Sequence, residues 1–389
     1  MNNKFVRFFM QPRNLYIVGM VLTFLLILSE VIRGREKNFM IFCEATKMFW
    51  DGMMPYGENW TDLIKHLDKF LYGPVFNVFF TPFAFMPKWL GPFVWNFMNF
   101  SLYFLSIFTL PNRFSKETKC KIFLFTLLIL STSLHSFQTT IMVAYIFLFA
   151  YSLFEKEKPH WAILLILFSG FVKVYGIFQL GFLLCYRKFW RNINYVLIGM
   201  VFFFLLPMIN FKIGNWIDYY NGWFDMMTAH IDTRIWHTFY YMQPWGNISF
   251  ASIYIQMGTL LSLVILFVMN HRRFINDTFK LQAMGILMGW LVLFSNSADT
   301  HTHLITMLGF ALWYWSRSER SKTDKVFFYA LLVVVMVVPV DLICPPFIMR
   351  FLFYELSLHL WLMLINWVRM CYLTFVKDFT KNAFLTKMV

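Results

Sequence analysis

The sequence predicts an all-α polytopic membrane protein. Of its 389 residues, 59% are hydrophobic, 14% are charged and 50 are phenylalanine. A soluble domain is nearer half apolar and about a quarter charged. The apolar residues also come in long unbroken runs such as Val326–Val338. Their total serves roughly eleven spans at ~20 residues each. A transmembrane barrel needs short alternating segments, and this chain has long continuous ones. These features argue against a soluble enzyme, a disordered chain or a disulfide scaffold.

The formal net charge is +14. In a soluble protein that excess would suggest nucleic acid. Here the basic residues form short clusters between apolar runs, which is the positive-inside pattern of a membrane protein, and no nucleic-acid partner is expected. Cys43, Cys120, Cys185, Cys344 and Cys371 are scattered without a CxxC pair, so no zinc site is expected. Met1–Arg13 is basic and Leu15–Leu28 is apolar, with no small-residue cleavage site after it. This reads as a retained first span that starts in the cytoplasm.

The whole of 1–389 reads as one integral membrane domain of about twelve crossings. Residues 34–71 form a large polar loop after the first span. Within it Phe39–Trp50 is amphipathic at helical spacing, which predicts a helix along the membrane surface. Gly52, Pro55 and Gly57 end it. Residues 73–87 are short and carry Pro74, Pro82 and Pro87, and Gly91–Leu110 is a full span. Further apolar segments are 122–134, 139–154, 161–172, 174–186, 193–209, 249–269, 278–295, 304–316, 326–343 and 351–368. Several are too short to cross ~30 Å upright, which suggests broken or paired half-helices lining a cavity.

The basic turns after residue 186 place one face in the cytoplasm. Residues 210–247, a second outer loop, and 296–303 then lie on the other face. The first half counts out in two ways. Either 161–186 is one span with Lys173 inside it, or 73–88 is re-entrant. The second also puts the basic turns at 113–121 and 155–159 inside, and is favoured. It sets 34–71, His135–Gln138 and Lys173 on the outer face.

Three features carry candidate chemistry. The acidic outer loop reads either as a solvated linker or as a substrate-covering element. Ser297–His303 places Asp299, His301 and His303 together at the outer end of a span. Ionisable residues there are costly and point to function. Asp299 suits a general base and a histidine suits a phosphate contact. A divalent metal on the three is the weaker reading, and no metal is expected. Lys173 lies between two apolar half-helices and reads as a phosphate contact or a snorkelling side chain. His135 and Gln138 either bond a sugar or cap helices. Glu355 and His359 read as a structural i,i+4 pair. The aromatics of 210–247 suit an interfacial belt and sugar stacking equally.

The order of short motifs resembles glycosyltransferase family 87, a group of membrane enzymes of the GT-C class. The resemblance rests on Asn38-Phe39-Met40-Ile41-Phe42, Gly52 to Tyr56, Tyr72-Gly73-Pro74-Val75-Phe76, Pro82–Pro87 and Trp95-Asn96. Later, Phe137-Gln138-Thr139-Thr140 is similar to the family's Gly-Gln-x-Asn turn. Val172-Lys173-Val174-Tyr175-Gly176 is similar to its lysine motif, and Asn296 to His303 to its late acidic or histidine-bearing motif.

The resemblance implies transfer of a hexose, mannose-like, from a polyprenyl-phosphate carrier to a hydroxyl of a cell-envelope glycan or glycolipid. It places that reaction on the non-cytoplasmic face of a bacterial inner membrane, with the lipid-linked donor, the acceptor and membrane lipids as partners and no cofactor. It also implies substrate-binding roles for Asn38, Tyr56, Tyr72, Gln138, Lys173, Tyr175, His301 and His303. The family expects an acid where Asn38 stands, so Asp299 is the first candidate base, followed by Glu36, Glu44 and Asp51. The alternatives are a transporter or flippase for a lipid-linked glycan and a non-catalytic glycan-assembly subunit.

Overall fold

A computed structural model describes residues 4–57, 60, 67–111, 114–186, 189–234, 252–294, 300–339 and 344–377. Among these residues every regular element is a helix and no strand occurs. Asp299 with the rest of 295–299, Asp341, and 235–251 with Trp236, Tyr240, Tyr241 and Trp245 lie outside the described residues. So do Glu58, Asn59, Thr61, Asp62 and Lys65.

The chain folds as two compact units. The first comprises Met1–Cys120, Ser131–Leu180 and Trp190–Thr233. The second comprises Lys121–Leu130, Gly181–Phe189 and Arg234–Val389.

In the first unit, α1 (Lys4–Phe9) leads into α2 (Pro12–Arg33). Pro12 starts α2, where its missing N–H is harmless, and Gly34 ends it in the left-handed conformation at φ 60°. Leu15, Gly19, Thr23, Ile27 and Glu30 form its buried stripe. Opposite, Leu25 and Ile32 are 55% and 75% exposed. An apolar exposed face of this kind suits lipid and not water. Three helices among the described residues are long and apolar enough for a crossing: Pro12–Arg33, Trp190–Ile209 and Leu358–Val376. Pro74–Ala84, Thr140–Glu155, Pro159–Val172, Val174–Cys185 and Tyr254–Met269 are apolar but shorter, as the short runs of sequence predict.

The next elements are α3 (Lys37–Trp50), α4 (Pro74–Ala84), α5 (Gly91–Phe108) and α6 (Lys116–His135). They are followed by α7 (Thr140–Glu155), α8 (Pro159–Val172), α9 (Phe189–Leu205) and α10 (Trp216–Arg234). Helix α3 forms where its amphipathic pattern predicts, but buries more than one face. Phe39, Ile41, Phe42, Ala45, Met48 and Phe49 are all buried; Lys37 is exposed, and Asn38, Met40, Glu44, Lys47 and Trp50 are half-exposed. The burial comes from α4, which packs along it. Phe42 meets Tyr72, Phe76 and Phe80 edge-on, with ring centroids 5.0, 5.0 and 5.4 Å away.

Two segments settle details that the sequence reading left open. Residues 161–186 do not form one helix. Helix α8 stops at Val172, Lys173 is extended, and Val174–Cys185 continues as 3₁₀ helix. Residues 210–247 contain α10, and its aromatics are structural rather than free. Tyr219 meets Phe49 at 5.9 Å, the Tyr220 hydroxyl donates to the Phe203 carbonyl at 3.0 Å, and Trp223 Nε1 donates to the Leu71 carbonyl at 3.2 Å.

The second unit includes α11 (Ser252–Met269), α12 (Asp277–Leu293), α13 (His303–Ser316), α14 (Lys322–Leu331), α15 (Pro346–Met349) and α16 (Leu358–Cys371). Helices α12 and α13 cross with almost no side chain between them. A Cβ on Gly285 would lie 2.5 Å from the Gly309 carbonyl oxygen. Small residues allow such close backbone packing in membranes. Indole N–H groups tie the surrounding helices, with Trp367 donating to the Ile286 carbonyl and Trp313 to Thr374 Oγ1, both at 2.9 Å. The run 351–368 is broken at Ser357, whose φ is 47°. Glu355 therefore pairs with Arg350 at 3.4 Å rather than with His359 on a shared helix.

Candidate functional site

The first unit brings four of the expected residues together around Tyr72. The Tyr72 hydroxyl donates to Gln138 Oε1 at 3.3 Å. The Lys173 ammonium sits 5.3 Å from the centroid of the Tyr72 ring and 5.3 Å from that of Tyr175. Each ring face attracts the cation by about 0.5–1 kcal/mol when exposed and more when desolvated. Among the described residues no carboxylate ion-pairs with Lys173. Among those residues its charge is faced by the two rings alone.

The backbone positions these groups. Tyr56, fully buried, donates its hydroxyl to the Tyr72 carbonyl at 2.7 Å. It therefore supports Tyr72 from behind. Gly73 N–H donates to the Val172 carbonyl at 3.1 Å, tying the Tyr72 strand of loop to the end of α8. A Cβ on Gly73 would lie 2.1 Å from the Phe171 carbonyl oxygen, so only glycine permits this approach. Lys173 is aimed by the stop in α8. Its N–H bonds the Ser169 carbonyl at 2.8 Å and Gly176 N–H bonds the Lys173 carbonyl at 2.7 Å.

The turn from His135 to Gln138, between α6 and α7, is clamped from two helices. Asn38 Nδ2 on α3 donates to the Ser136 carbonyl at 2.8 Å. On α5, Asn96 Nδ2 donates to the Leu134 carbonyl at 2.8 Å, and Trp95 Nε1 to the Phe137 carbonyl at 3.3 Å. Phe137 is held in the left-handed region at φ 52°. Asn38 is therefore a donor that shapes the turn.

One buried acid escaped the sequence reading. Glu30, in the last turn of α2, is 3% exposed, and its Oε1 lies 3.0 Å from His135 Nε2. The signal was present in the sequence, since an acid inside a membrane-length helix is costly and points to function.

The remaining candidates have other surroundings. Glu44 pairs with Lys47 at 2.9 Å, and Asp51 with Lys212 at 3.9 Å, both as partly exposed side chains. Glu36 stands at the N-cap position of α3 without a capping side-chain bond, and its buried carboxylate oxygen Oε2 has no hydrogen bond. His301 and His303 belong to the second unit, where His303 is buried with its ring 5.4 Å from that of His359. Among the described residues no group of three or more His, Cys, Asp or Glu side chains is placed to hold a metal ion.

Residues 70–346, most of the chain, match the family model described as glycosyltransferase family 87. The chain belongs to glycosyltransferase family 87. Membership makes it a glycosyltransferase, with a sugar donor and an acceptor as substrates, and its exposed apolar helices make it a membrane protein. The family match takes in Tyr72, Gln138, Lys173 and Tyr175 together with Asp299, His301 and His303. It begins after Glu30, Glu36, Asn38, Glu44, Asp51 and Tyr56. No curated protein and no solved structure matches the chain.

Proposed function

We propose that this family 87 glycosyltransferase moves a mannose-like hexose from a polyprenyl-phosphate carrier to a hydroxyl of a cell-envelope glycan or glycolipid. The observation that carries the reading is Lys173, a cation set against two tyrosine rings at a break between apolar helices and, among the described residues, ion-paired with no carboxylate. A phosphate on a lipid is the ligand such a site suits. It brings a negative charge to the ammonium and reaches the site from the membrane. In the transfer, negative charge grows on the departing phosphate oxygen, and a fixed cation there stabilises the transition state more than the ground state. Tyr72, Tyr175 and Gln138 offer hydroxyl and amide groups to the donor.

The reading includes a GT-C-type fold of about twelve crossings in a bacterial inner membrane, with the site on the non-cytoplasmic face. Two features support the re-entrant arrangement of 73–88. Helix α4 has 11 residues, a rise of about 16 Å, about half of a ~30 Å hydrocarbon core. The stop of α8 before Lys173 also favours it over one continuous span across 161–186.

The test is sugar transfer by purified protein in nanodiscs, with polyprenyl-phosphate mannose and glucose supplied in turn alongside an envelope glycolipid fraction. Wild type is expected to transfer from one of them. Lys173→Met is expected to lower kcat by about 10²–10³, as loss of an electrostatic stabiliser does, and Lys173→Arg to retain part of the rate. Equal rates in wild type and Lys173→Met sink the reading of Lys173. Donor binding without transfer from either lipid favours the flippase or the non-catalytic subunit.

A further inference from the structure

One end of the second unit gathers the ends of four helices. Helices α13 and α16 finish there, and α12 and α14 begin. Three contacts join them. Arg369 of α16 pairs with Asp324 of α14, and Trp313 of α13 donates to Thr374 Oγ1, just past α16, at 2.9 Å. Arg273, just before α12, donates Nη1 to the Thr374 carbonyl at 3.0 Å. Cations collect at this end because the turns before α12 and between α13 and α14 are basic, with Arg272, Arg273, Arg317, Arg320, Lys322 and Lys325. Of the acids there, Asp324 is paired with Arg369 and Asp277 with Lys280 at 3.1 Å, while Glu319 is exposed.

Aromatic rings hold the guanidinium groups. That of Arg317 lies 4.7 Å from the centroid of the buried Trp313 ring, and that of Arg369 lies 6.0 Å from it. Arg320 sits 4.9 Å from the Tyr314 ring and Arg273 4.3 Å from that of Phe279. A ring attracts the charge but takes up few of the five N–H donors that each guanidinium offers in a fixed fork. Arg320 spends Nε on the Tyr314 carbonyl at 3.0 Å. Arg369 gives Nη2 to Asp324, and its Nη1 is buried with no hydrogen bond. Among the described residues neither Arg317 nor Arg320 ion-pairs with a carboxylate. Donors in this geometry suit phosphate, which a guanidinium binds through two parallel bonds.

The flanks identify where the phosphate comes from. On α14 the exposed face starts with Lys322 and Lys325 and continues through Val326, Tyr329 and Val333. On α16 and the turn after it, Ile365, Val368 and Tyr372 are exposed and lead to the same end. An exposed face that turns from apolar to basic follows the passage from acyl chains to headgroups. A soluble anion has no use for those apolar faces, whereas a phospholipid covers them and the cations together. Basic pockets between membrane helices bind anionic headgroups in this way.

We propose that this end of the second unit binds an anionic phospholipid, with its phosphate set among Arg317, Arg320 and Arg369 and its acyl chains along α14 and α16. Neither the donor nor the acceptor of the sugar transfer enters this assignment.

The test places the full chain in phosphatidylcholine nanodiscs with rising fractions of phosphatidylglycerol. Binding is read from the unfolding temperature and from the lipid retained in native mass spectrometry. Wild type is expected to unfold at a higher temperature as phosphatidylglycerol rises, because a ligand of the folded state stabilises it, and to respond less at high salt. Arg317→Gln is expected to weaken binding about fivefold, and Arg317→Gln with Arg320→Gln about thirtyfold, the effect of one and two basic residues at an anionic surface. Arg317→Lys, which keeps the charge and loses the fork, is expected to fall between wild type and Arg317→Gln. It carries the test if the glutamine variants unfold in phosphatidylcholine alone. Lys156→Gln with Lys158→Gln removes the same charge from an exposed turn of the first unit and is expected to bind as wild type does. Equal loss in that control reduces the effect to net charge and overturns the site. So does a wild type that responds no more to phosphatidylglycerol than to phosphatidylcholine. A response to inorganic phosphate or to polyprenyl phosphate in phosphatidylcholine, with none to phosphatidylglycerol, overturns the phospholipid as occupant.

Discussion

Gly73→Ala probes the junction that places Tyr72 beside Lys173. Gly73 has φ −68° and ψ 159°, which any residue adopts, so the substitution adds no backbone strain. Its cost is steric. The new methyl carbon would lie 2.1 Å from the Phe171 carbonyl oxygen and 3.0 Å from the Trp223 ring. Ordinary carbon–oxygen contact needs about 3.3 Å, so the loop at 71–74 must retreat from the end of α8 by about 1 Å. The retreat stretches the Gly73–Val172 hydrogen bond beyond its 3.1 Å. It also draws the Tyr72 ring away from the Lys173 ammonium. Overpacking of this kind costs about 1–3 kcal/mol, and a 1 Å misplacement at a reacting site costs on the order of 10²-fold in rate. Thermal unfolding and single-turnover transfer in nanodiscs read the two effects separately. Gly258→Ala is the control, since a Cβ there meets nothing within 4 Å, and it is expected to leave both measurements near wild type. A Gly73→Ala protein with wild-type rate and unfolding temperature would refute the argument that this approach sets the site.

Two further substitutions test the supporting structure. Asn38→Asp replaces a donor by a carboxylate facing the Ser136 carbonyl. It is expected to cost about 1–3 kcal/mol and to lower transfer; a rise in kcat would show that an acid at this position still acts as base. Asp324 accepts from Ser321 N at 2.6 Å and from Ser321 Oγ at 2.9 Å, and pairs with Arg369 across from α14 to α16. Burial pushes its carboxyl pKa up, but the bonds from Arg369 and Ser321 outweigh burial and hold it below the usual carboxylate value. A depressed pKa stabilises the fold above the unfolded value of about 3.9 and is lost as pH falls below it. Asp324→Asn is therefore expected to destabilise by about 3–5 kcal/mol at neutral pH. It should also remove this part of the acid sensitivity between pH 5 and 3; an unchanged acid limb of the unfolding temperature would count against it.

The all-helical membrane architecture is legible in the sequence, because helical hydrogen bonds are local and a span in lipid must be apolar along its length. Pro12 and Gly34 mark the ends of α2 for equally local reasons. The motif around Tyr72, Gln138, Lys173 and Tyr175 could also be read as one site, since its pieces resemble one family in order and spacing. Other features depended on which faces meet. The amphipathic run 39–50 looked like a surface helix because its pattern does not reveal that α4 covers a second face. The aromatics of 210–247 read equally as a belt or as sugar-stacking groups, because nothing local shows that Tyr220 and Trp223 reach the Phe203 and Leu71 carbonyls.

Asn38 and Glu30 carry the same lesson into the site. Residue type alone marks Asn38 as a missing acid, whereas packing makes it the clamp of the 135–138 turn. Glu30 passes for a lone charge at the edge of the first span until the approach of α2 and α6 sets it against His135. Composition and periodicity decide which segments become helices. The pairing of polar groups far apart in the chain depends on the rotation and depth at which those helices pack, and only the tertiary structure decides that.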